Sequence, residues 1–248
     1  MPTHNCLVLP KEGYTKEECE DSIHIHPLHR NPVDNYKFAI ADGATESSFS
    51  KEWATLLTGS IQSKAKISTN HLLSLLPNLQ AKWKEDVFSR SLPYYSEIKA
   101  LQGAYSALAV LNINIKHSQF TCLAVGDCCL FHVRYSALVK AFPITKSEDF
   151  NNNPFLISSI QSKNAGLKDC IKEIHGEFTK GDKFFLMSDA IASWFLKGCE
   201  QNEKPWEIIL RLFTDKILDE NVFVNWVQDL RKTRLIKNDD TSIISIEI

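Results

Sequence analysis

The chain of 248 residues carries 28 Lys and Arg against 30 Asp and Glu, a formal net charge of −2, and 44% of its residues are hydrophobic. That apolar fraction is enough for a sizeable core and excludes an intrinsically disordered chain. The nearly balanced charge gives no support for binding nucleic acid or an anionic membrane surface. No apolar run reaches the length of a membrane span, and the first residues lack the features of a signal peptide.

The seven cysteines are an odd number and show no Cys-x-x-Cys spacing. The neighbours Cys128 and Cys129 do not suit the disulfide framework of a secreted protein. They suit reduced thiols that pack as small hydrophobic residues. We therefore expect a cytoplasmic protein, and we expect it to be a monomer.

The first part of the chain predicts three strands. Residues 7–9, before Pro10, form the first, and the alternating segment 22–26 forms the second. The third contains Tyr36 and the buried run 38–41, and leads directly into Asp42-Gly43. A carboxylate at the mouth of a buried strand, beside an unshielded glycine carbonyl, can hold a hard cation, although an ordinary Asp-Gly turn is the alternative.

Three histidines near the second predicted strand could also bind a metal ion. His24 and His26 share one face of that strand, but Pro27 breaks the geometry for His29. Solvent-facing histidines on an edge strand are therefore the better interpretation.

Helices and then strands follow the third strand. Residues 51 to about 67 have helical spacing, Ser68 or Thr69 can cap the next helix, and Pro93 ends that region. Closely spaced strands then predict an antiparallel meander, with Gly126-Asp127 in a hairpin. These strands cover about residues 104–115, 120–125, 130–134 and 137–142.

The last part of the chain starts with an irregular segment, 148–166, which we expect to be a mobile flap. Strands are predicted at 172–178, 183–187 and 241–248, with two helices carrying Trp206 and Phe223 on their apolar stripes. No linker or repeat divides the chain, so residues 1–248 are predicted to form one domain.

Acidic residues stand at several strand boundaries: Glu20-Asp21, Asp42-Gly43, Gly126-Asp127, Ser188-Asp189 and Asp239-Asp240. If these carboxylates cluster, they repel one another unless cations neutralise them. Ligands that are all oxygen select Mg²⁺ or Mn²⁺, and two such ions can activate a water and stabilise a phosphoryl group. The alternative is a set of separate, solvated turn aspartates.

These segments resemble the metal-dependent protein phosphatases of type 2C, and most of all their short bacterial members. The matching segments follow the order and separations of that family and cover nearly the whole chain: Glu20-Asp21, 38–48, Val125-Gly126-Asp127, 185–190 and 239–246. The resemblance implies an α+β fold, a four-layer α-β-β-α sandwich of two antiparallel β-sheets packed face to face and flanked by helices.

By similarity, the site would hold two Mg²⁺ or Mn²⁺ ions. Asp42 would bridge both ions. The Gly43 carbonyl and Glu20 would complete one ion's site, and Asp189 and Asp239 would hold the other ion.

Other residues would act around these ligands. Asp21 would order metal-bound waters, and Asp127 matches the position of a weaker third ion. Lys16 stands four residues before Glu20, where many members place a phosphate-binding arginine. Asp42, Asp21 and Lys16 are thus the candidate catalytic residues, although Lys16 could equally be one of several solvated charges.

The chain departs from the family pattern at several places, and the loop after Asp42-Gly43 carries Thr45 and Glu46 where the family is richer in glycine. Ala44 stands where some members carry a histidine proposed as general acid, so a metal-bound water would protonate the leaving group. Lys16 lacks the bidentate geometry of arginine. Cys128-Cys129 replaces Ser-Arg, and Ser193 replaces an acidic residue, which weakens the case for a third ion.

The reaction implied is hydrolysis of phosphoserine or phosphothreonine by a hydroxide that bridges the metals. The partner would be a phosphoprotein, in opposition to a serine/threonine kinase, with no nucleic acid and no membrane as partner. A catalytically silent phosphatase-like binding module is the alternative, but the principal metal carboxylates are present. A two-metal phosphoesterase acting on nucleotides would be expected to carry histidine ligands or a basic groove, and neither is evident.

Overall fold

The computed structural model describes residues 2–26, 34–60, 67–150, 153–214 and 220–248. The strands are β1 Thr3–Leu9, β2 Ser22–His26, β3 Asn35–Gly43, β4 Tyr105–Asn114, β5 Gln119–Val125, β6 Cys129–Arg134, β7 Ala137–Phe142, β8 Ile157–Ser158, β9 Lys172–Glu177, β10 Lys183–Met187 and β11 Thr241–Glu247. The helices are α1 Ser50–Gly59, α2 Thr69–Phe88, α3 Tyr94–Leu101, α4 Leu167–Cys170, α5 Asp189–Glu200, α6 Pro205–Thr214 and α7 Glu220–Lys232.

The strands form two antiparallel sheets. The first has the order β1-β11-β10-β6-β7, and the second has the order β2-β3-β4-β5-β9, with β8 paired to β4. Phe38 and Leu111 of the second sheet pack with Phe184 and Leu186 of the first in a core between the sheets. The sheets therefore lie face to face, because alternate side chains of each strand point into this shared core.

Helices cover both outer faces. Trp53 of α1 and Trp83 of α2 pack on the outer face of the second sheet. Phe195 of α5 and Ile209 of α6 pack on the outer face of the first. The predicted four-layer α-β-β-α sandwich is confirmed.

Several predicted elements differ in detail from the structure. Pro93 ends the predicted helical region, but it also directly precedes α3, a helix that was not predicted. Helix α5 was not predicted either. Helix α1 ends at Gly59, and residues 61–66 of the longer predicted helix lie outside the described residues. Ser68 does cap α2, since its hydroxyl accepts a hydrogen bond from the amide of His71.

The predicted hairpin at Gly126-Asp127 is wrong. Strand β5 belongs to the second sheet and β6 to the first, so these two residues carry the chain from one sheet to the other. Gly126 has φ +85°, and a Cβ there would lie 2.7 Å from Cβ of Ala107, so both the backbone and the packing require glycine.

Two further predicted regions lie partly outside the described residues. Strand β2 is an edge strand, as predicted for His24 and His26, whereas His29 falls outside the described residues. Segment 148–166 is largely irregular, but it contains the buried strand β8, and residues 151–152 are outside the described residues.

Candidate metal centre

Strand ends bring the predicted acidic segments to one end of the sandwich. Ser22 at the start of β2 pairs with Ala41 near the end of β3. Met187 at the end of β10 pairs with Cys129 at the start of β6 and with Ile243 near the start of β11. The segments that adjoin these strand ends therefore converge: Glu20-Asp21, Asp42-Gly43, Gly126-Asp127, Ser188-Asp189 and Asp239-Asp240.

Asp42 lies at the centre of this group. Burial raises the pKa of Asp42 well above its ordinary value, and the charges of Asp21, Asp189, Asp127 and Asp239 raise it further. Asp42 belongs to the second sheet and Asp189 follows the first, so the carboxylates meet across the two sheets. Long-range folding has therefore gathered five aspartates that the sequence analysis singled out.

The neighbouring carboxyl groups shift in the same direction. Burial raises the pKa of Asp127 to about 7, and the charge of Asp189 adds to the rise. Burial also raises the pKa of Asp189 to about 6, although Lys237, whose Nζ lies 3.9 Å from Oδ2 of Asp189, opposes this. The pKa of Asp239 is raised by burial as well. Negative charge in this region is therefore unfavourable, and a bound divalent cation would relieve it.

Asp21 has the least compensated carboxylate. It is only 6% exposed, and among the described residues neither of its carboxylate oxygens has a hydrogen-bond partner. Burial raises the pKa of Asp21, and the nearby hydroxyls of Ser242 and Ser188 offset only part of that rise without reaching hydrogen-bond geometry. Oδ1 of Asp189 is likewise buried and without a partner in the described part of the chain. Such oxygens are the donors that a hard divalent cation accepts.

Glu20 is in a different situation. Its Oε2 accepts a hydrogen bond from Lys11 Nζ at 2.9 Å, and its Oε1 accepts one from the hydroxyl of Ser50. Lys11 Nζ also donates to Oγ1 of Thr45 at 3.0 Å. This position of Lys11 could not be predicted from the sequence, because the pairing depends on the path of the loop between β1 and β2.

Asp240 ties that loop to the start of β11. Its Oδ1 accepts a hydrogen bond from the amide of Lys11 at 2.8 Å, and its Oδ2 accepts one from the amide of Glu20 at 2.6 Å. The amide of Asp240 donates to Oδ1 of Asp239 at 2.9 Å. Asp240 thus fixes the positions of residues on both sides of the site through its own backbone and side chain.

Gly43 and Lys16 have contrasting environments. A Cβ on Gly43 would lie 2.9 Å from the carbonyl oxygen of Glu20 and 2.9 Å from Cβ of Ser50, so the close approach of these segments requires glycine. Lys16 is exposed, and its carbonyl oxygen accepts a hydrogen bond from Lys51 Nζ at 3.1 Å. The groove beside Glu20, of about 310 Å³, is lined instead by the following residues among others: Lys11, Tyr14, Thr45 and Ser50.

On one side of the cluster, the residues are of the chemical type that binds Mg²⁺ or Mn²⁺. Within the described ranges, no three His, Cys, Asp or Glu side chains are already arranged to hold a metal ion. The donors are nevertheless all oxygen, and those of Asp21 and Asp189 include buried oxygens without partners. Binding would require these side chains to turn toward the ion. Glu20 is less available than these residues, because each of its oxygens already accepts one hydrogen bond and has one fewer lone pair to offer an ion.

No family model matches the sequence, and no curated protein matches it significantly, but solved structures with a similar fold are found. The serine/threonine phosphatase Stp1 from Staphylococcus aureus superposes with a TM-score of 0.60 at 12% identity, over 100% of this chain and 95% of that one. The catalytic domain of the serine/threonine phosphatase PstP, in complex with two manganese ions, gives 0.57 at 13% identity, over 99% and 97%. This chain has the fold of the type 2C protein phosphatases.

A third similar structure is RsbX in complex with magnesium. Its TM-score is 0.54 at 18% identity, and the match covers 99% of this chain and 94% of RsbX. The resemblance seen in the sequence motifs is therefore confirmed at the level of the fold. None of the helices in the described ranges has the length and apolar character needed to cross a membrane.

Proposed function

We propose that this protein is a Mg²⁺- or Mn²⁺-dependent phosphatase that hydrolyses phosphoserine and phosphothreonine in a protein substrate. The observation that carries the proposal is the cluster of buried and half-buried carboxylates at one end of a type 2C phosphatase fold. A cluster with raised pKa values and unpartnered oxygens is unfavourable for a purely structural site, and it is suited to divalent cations. The metal complexes of PstP and RsbX support the same choice of ion.

The carboxylates would divide between two ions. Asp42 would contribute to both, with Asp189 and Asp239 on one side and the Gly43 carbonyl and Glu20 on the other. Asp42 is suited to the shared position because the charges of the other aspartates reach it from both sheets. Asp127, on the crossing between the sheets, is the candidate for a weaker third ion.

The surrounding residues would orient the reacting groups. When bound, the ions would supply an attacking water of lowered pKa and would stabilise negative charge on the phosphoryl oxygens. Asp21, with two unpartnered oxygens, would accept hydrogen bonds from water at the site. Lys16 would approach the phosphate as a point charge, and the groove beside Glu20 would admit the phosphorylated side chain.

We place this activity in the cytoplasm, in a monomer that opposes a serine/threonine kinase. The free cysteines support an environment that keeps thiols reduced. The substrate would be a phosphoprotein, because structures with the same fold include serine/threonine protein phosphatases.

The test is hydrolysis of p-nitrophenyl phosphate and of a phosphothreonine peptide, in Mn²⁺ and in EDTA. We expect turnover of both substrates in Mn²⁺ alone. Asp42→Asn should lower the rate by more than about a hundredfold, because even residues behind the ligands of a metal site cost 10–100-fold when changed.

The matched control is Asp229→Asn, which makes the same chemical change on an aspartate whose side chain is 75% exposed on α7. It should retain the wild-type rate. Metal-dependent turnover that survives in Asp42→Asn would contradict the proposal, and binding of the phosphopeptide without turnover would indicate a silent binding module instead.

A further inference from the structure

Lys11 occupies a fixed position beside the carboxylate cluster. It follows β1, is only 7% exposed, and its amide is held by Oδ1 of Asp240 at 2.8 Å. Its Nζ bonds Oε2 of Glu20 at 2.9 Å and Oγ1 of Thr45 at 3.0 Å, and it lies 4.5 Å from the centroid of the Tyr14 ring. A lysine anchored at both its backbone and its ammonium group differs from an ordinary surface lysine, which samples many rotamers.

The ammonium group lies in the field of the acidic residues. Its Nζ lies 2.9 Å from Oε2 of Glu20, and Asp240 and Asp239 are close enough for their charges to act on it as well. Lys11 is therefore charged at neutral pH. Its positive charge compensates the negative charge of the Glu20 carboxylate, which a bound cation would otherwise do.

The two sides of the cluster consequently differ. On one side, Asp21 and Oδ1 of Asp189 have buried oxygens without partners among the described residues. On the other, both oxygens of Glu20 are engaged, by Lys11 and by Ser50. An ion on the first side meets the ammonium group of Lys237, but that side chain is half exposed and its Nζ is 3.9 Å from Oδ2 of Asp189, farther than Lys11 Nζ is from Glu20. An ion that uses Glu20 competes with an ammonium group and a hydroxyl for the lone pairs of its carboxylate, and the nearby ammonium repels it.

We propose that Lys11 is a positioning residue whose ammonium group supplies part of the positive charge that a metal ion would otherwise bring to Glu20. The ion site on the Glu20 side therefore binds divalent metal more weakly than the site at Asp189 and Asp239. This inference rests on the proposed function, because it concerns the two ions of that site. It makes the metal content of the enzyme depend on a residue that belongs to none of the acidic motifs.

The experiment is titration of the full-length, metal-free protein with MnCl₂ by isothermal calorimetry, with bound Mn²⁺ counted by electron paramagnetic resonance. The wild type should show one tighter and one weaker site. Lys11→Met keeps the apolar stem and removes the charge, and it should tighten the weaker site by about tenfold, within the range found when groups around metal ligands are changed. Lys11→Arg restores the charge and should return the weaker binding.

Lys51→Met is the matched control, because Lys51 lines the same groove but donates to the carbonyl oxygens of Lys16 and Glu17. It should bind Mn²⁺ as the wild type does. Should Lys11→Met fail to fold in EDTA, as judged by circular dichroism, Lys11→Gln replaces it and is expected to give the same tightening.

The outcomes separate this inference from the proposed function. If two sites are measured and the neutral Lys11 variants bind Mn²⁺ no more tightly than the wild type, the inference is overturned while the phosphatase proposal stands. If neither protein binds Mn²⁺, both are contradicted. Because the readout is binding, the result does not depend on turnover.

Discussion

Asp182 and Asp189 lie at opposite ends of β10 and show how the fold can treat the same residue type in two ways. Asp182 accepts hydrogen bonds from Nη2 of Arg134 at 2.7 Å and from the amide of Thr179 at 3.0 Å, and it shares one with Nε2 of His132 at 2.7 Å. Burial alone would raise the pKa of Asp182, but these partners outweigh it and hold the pKa well below its ordinary value.

Asp189 has much weaker compensation. Lys237 is 3.9 Å away, Oδ1 has no partner in the described part of the chain, and burial raises the pKa of Asp189 to about 6. Satisfied carboxylates stabilise a fold, whereas a group of unsatisfied ones lowers stability unless a ligand compensates them. The end of β10 at Asp182 therefore stabilises the fold, whereas the end at Asp189 is where the proposed function requires an ion.

Removing the satisfied carboxylate should have the largest effect on stability. Asp182→Ala leaves His132 and Arg134 without their shared acceptor, so we expect a loss of about 3 kcal/mol in the free energy of unfolding, as when one partner of a buried ion pair is removed. Urea denaturation in EDTA measures it, with Asp229→Ala as the exposed control. A loss below about 1 kcal/mol would show that this network contributes little.

Neutralising the unsatisfied carboxylate should act in the opposite direction. In EDTA, Asp189→Asn relieves repulsion with Asp239 and Asp42, so we expect a gain of about 1 kcal/mol. The same variant should lose most of the stabilisation that Mn²⁺ gives the wild type. A variant that is less stable than the wild type in EDTA would mean that the charge of Asp189 is already compensated within the fold.

The smallest effect concerns pH. Because burial raises the pKa of Asp127 to about 7 and that of Asp189 to about 6, both above the value near 3.9 of an unfolded aspartate, the folded protein binds protons that the unfolded chain has lost. Stability of the metal-free protein should therefore fall as pH rises from 6 to 8, with the melting temperature dropping by a few degrees.

Asp182 should give the opposite dependence of stability on pH, but only in acid. Because its pKa is lowered, its contribution to stability disappears as pH falls well below 4. Differential scanning calorimetry in EDTA and in Mn²⁺ distinguishes the two regions. Saturating Mn²⁺ should flatten the slope between pH 6 and 8. A slope that is the same with and without Mn²⁺ would assign it to groups outside the cluster.

Much of the fold could be predicted because its strands are short, apolar and separated by turns. Strand β2 was predicted with its observed bounds, and β10 likewise, since alternation and apolar runs are local signals. Helix α5 was missed because Ile191, Ala192, Phe195 and Leu196 make it apolar around much of its surface, which hides the helical period.

The remaining errors concern contacts between distant segments. A Gly-Asp pair between two strands is typical of a hairpin, and the sequence does not show that β5 and β6 belong to different sheets. The acidic residues of the site could be found because they adjoin strand ends. Lys11 could not, since its role follows from a loop that Asp240 holds from the other end of the chain.

The most direct test of the account is a crystal structure of the protein grown with Mn²⁺, with anomalous scattering used to locate the ions. We predict an anomalous peak among Asp42, Asp189 and Asp239, at higher occupancy than any peak beside Glu20, and none beside Asp182. A map in which Mn²⁺ is absent from the cluster at millimolar concentration would contradict the claim that these carboxylates converge in order to bind divalent ions.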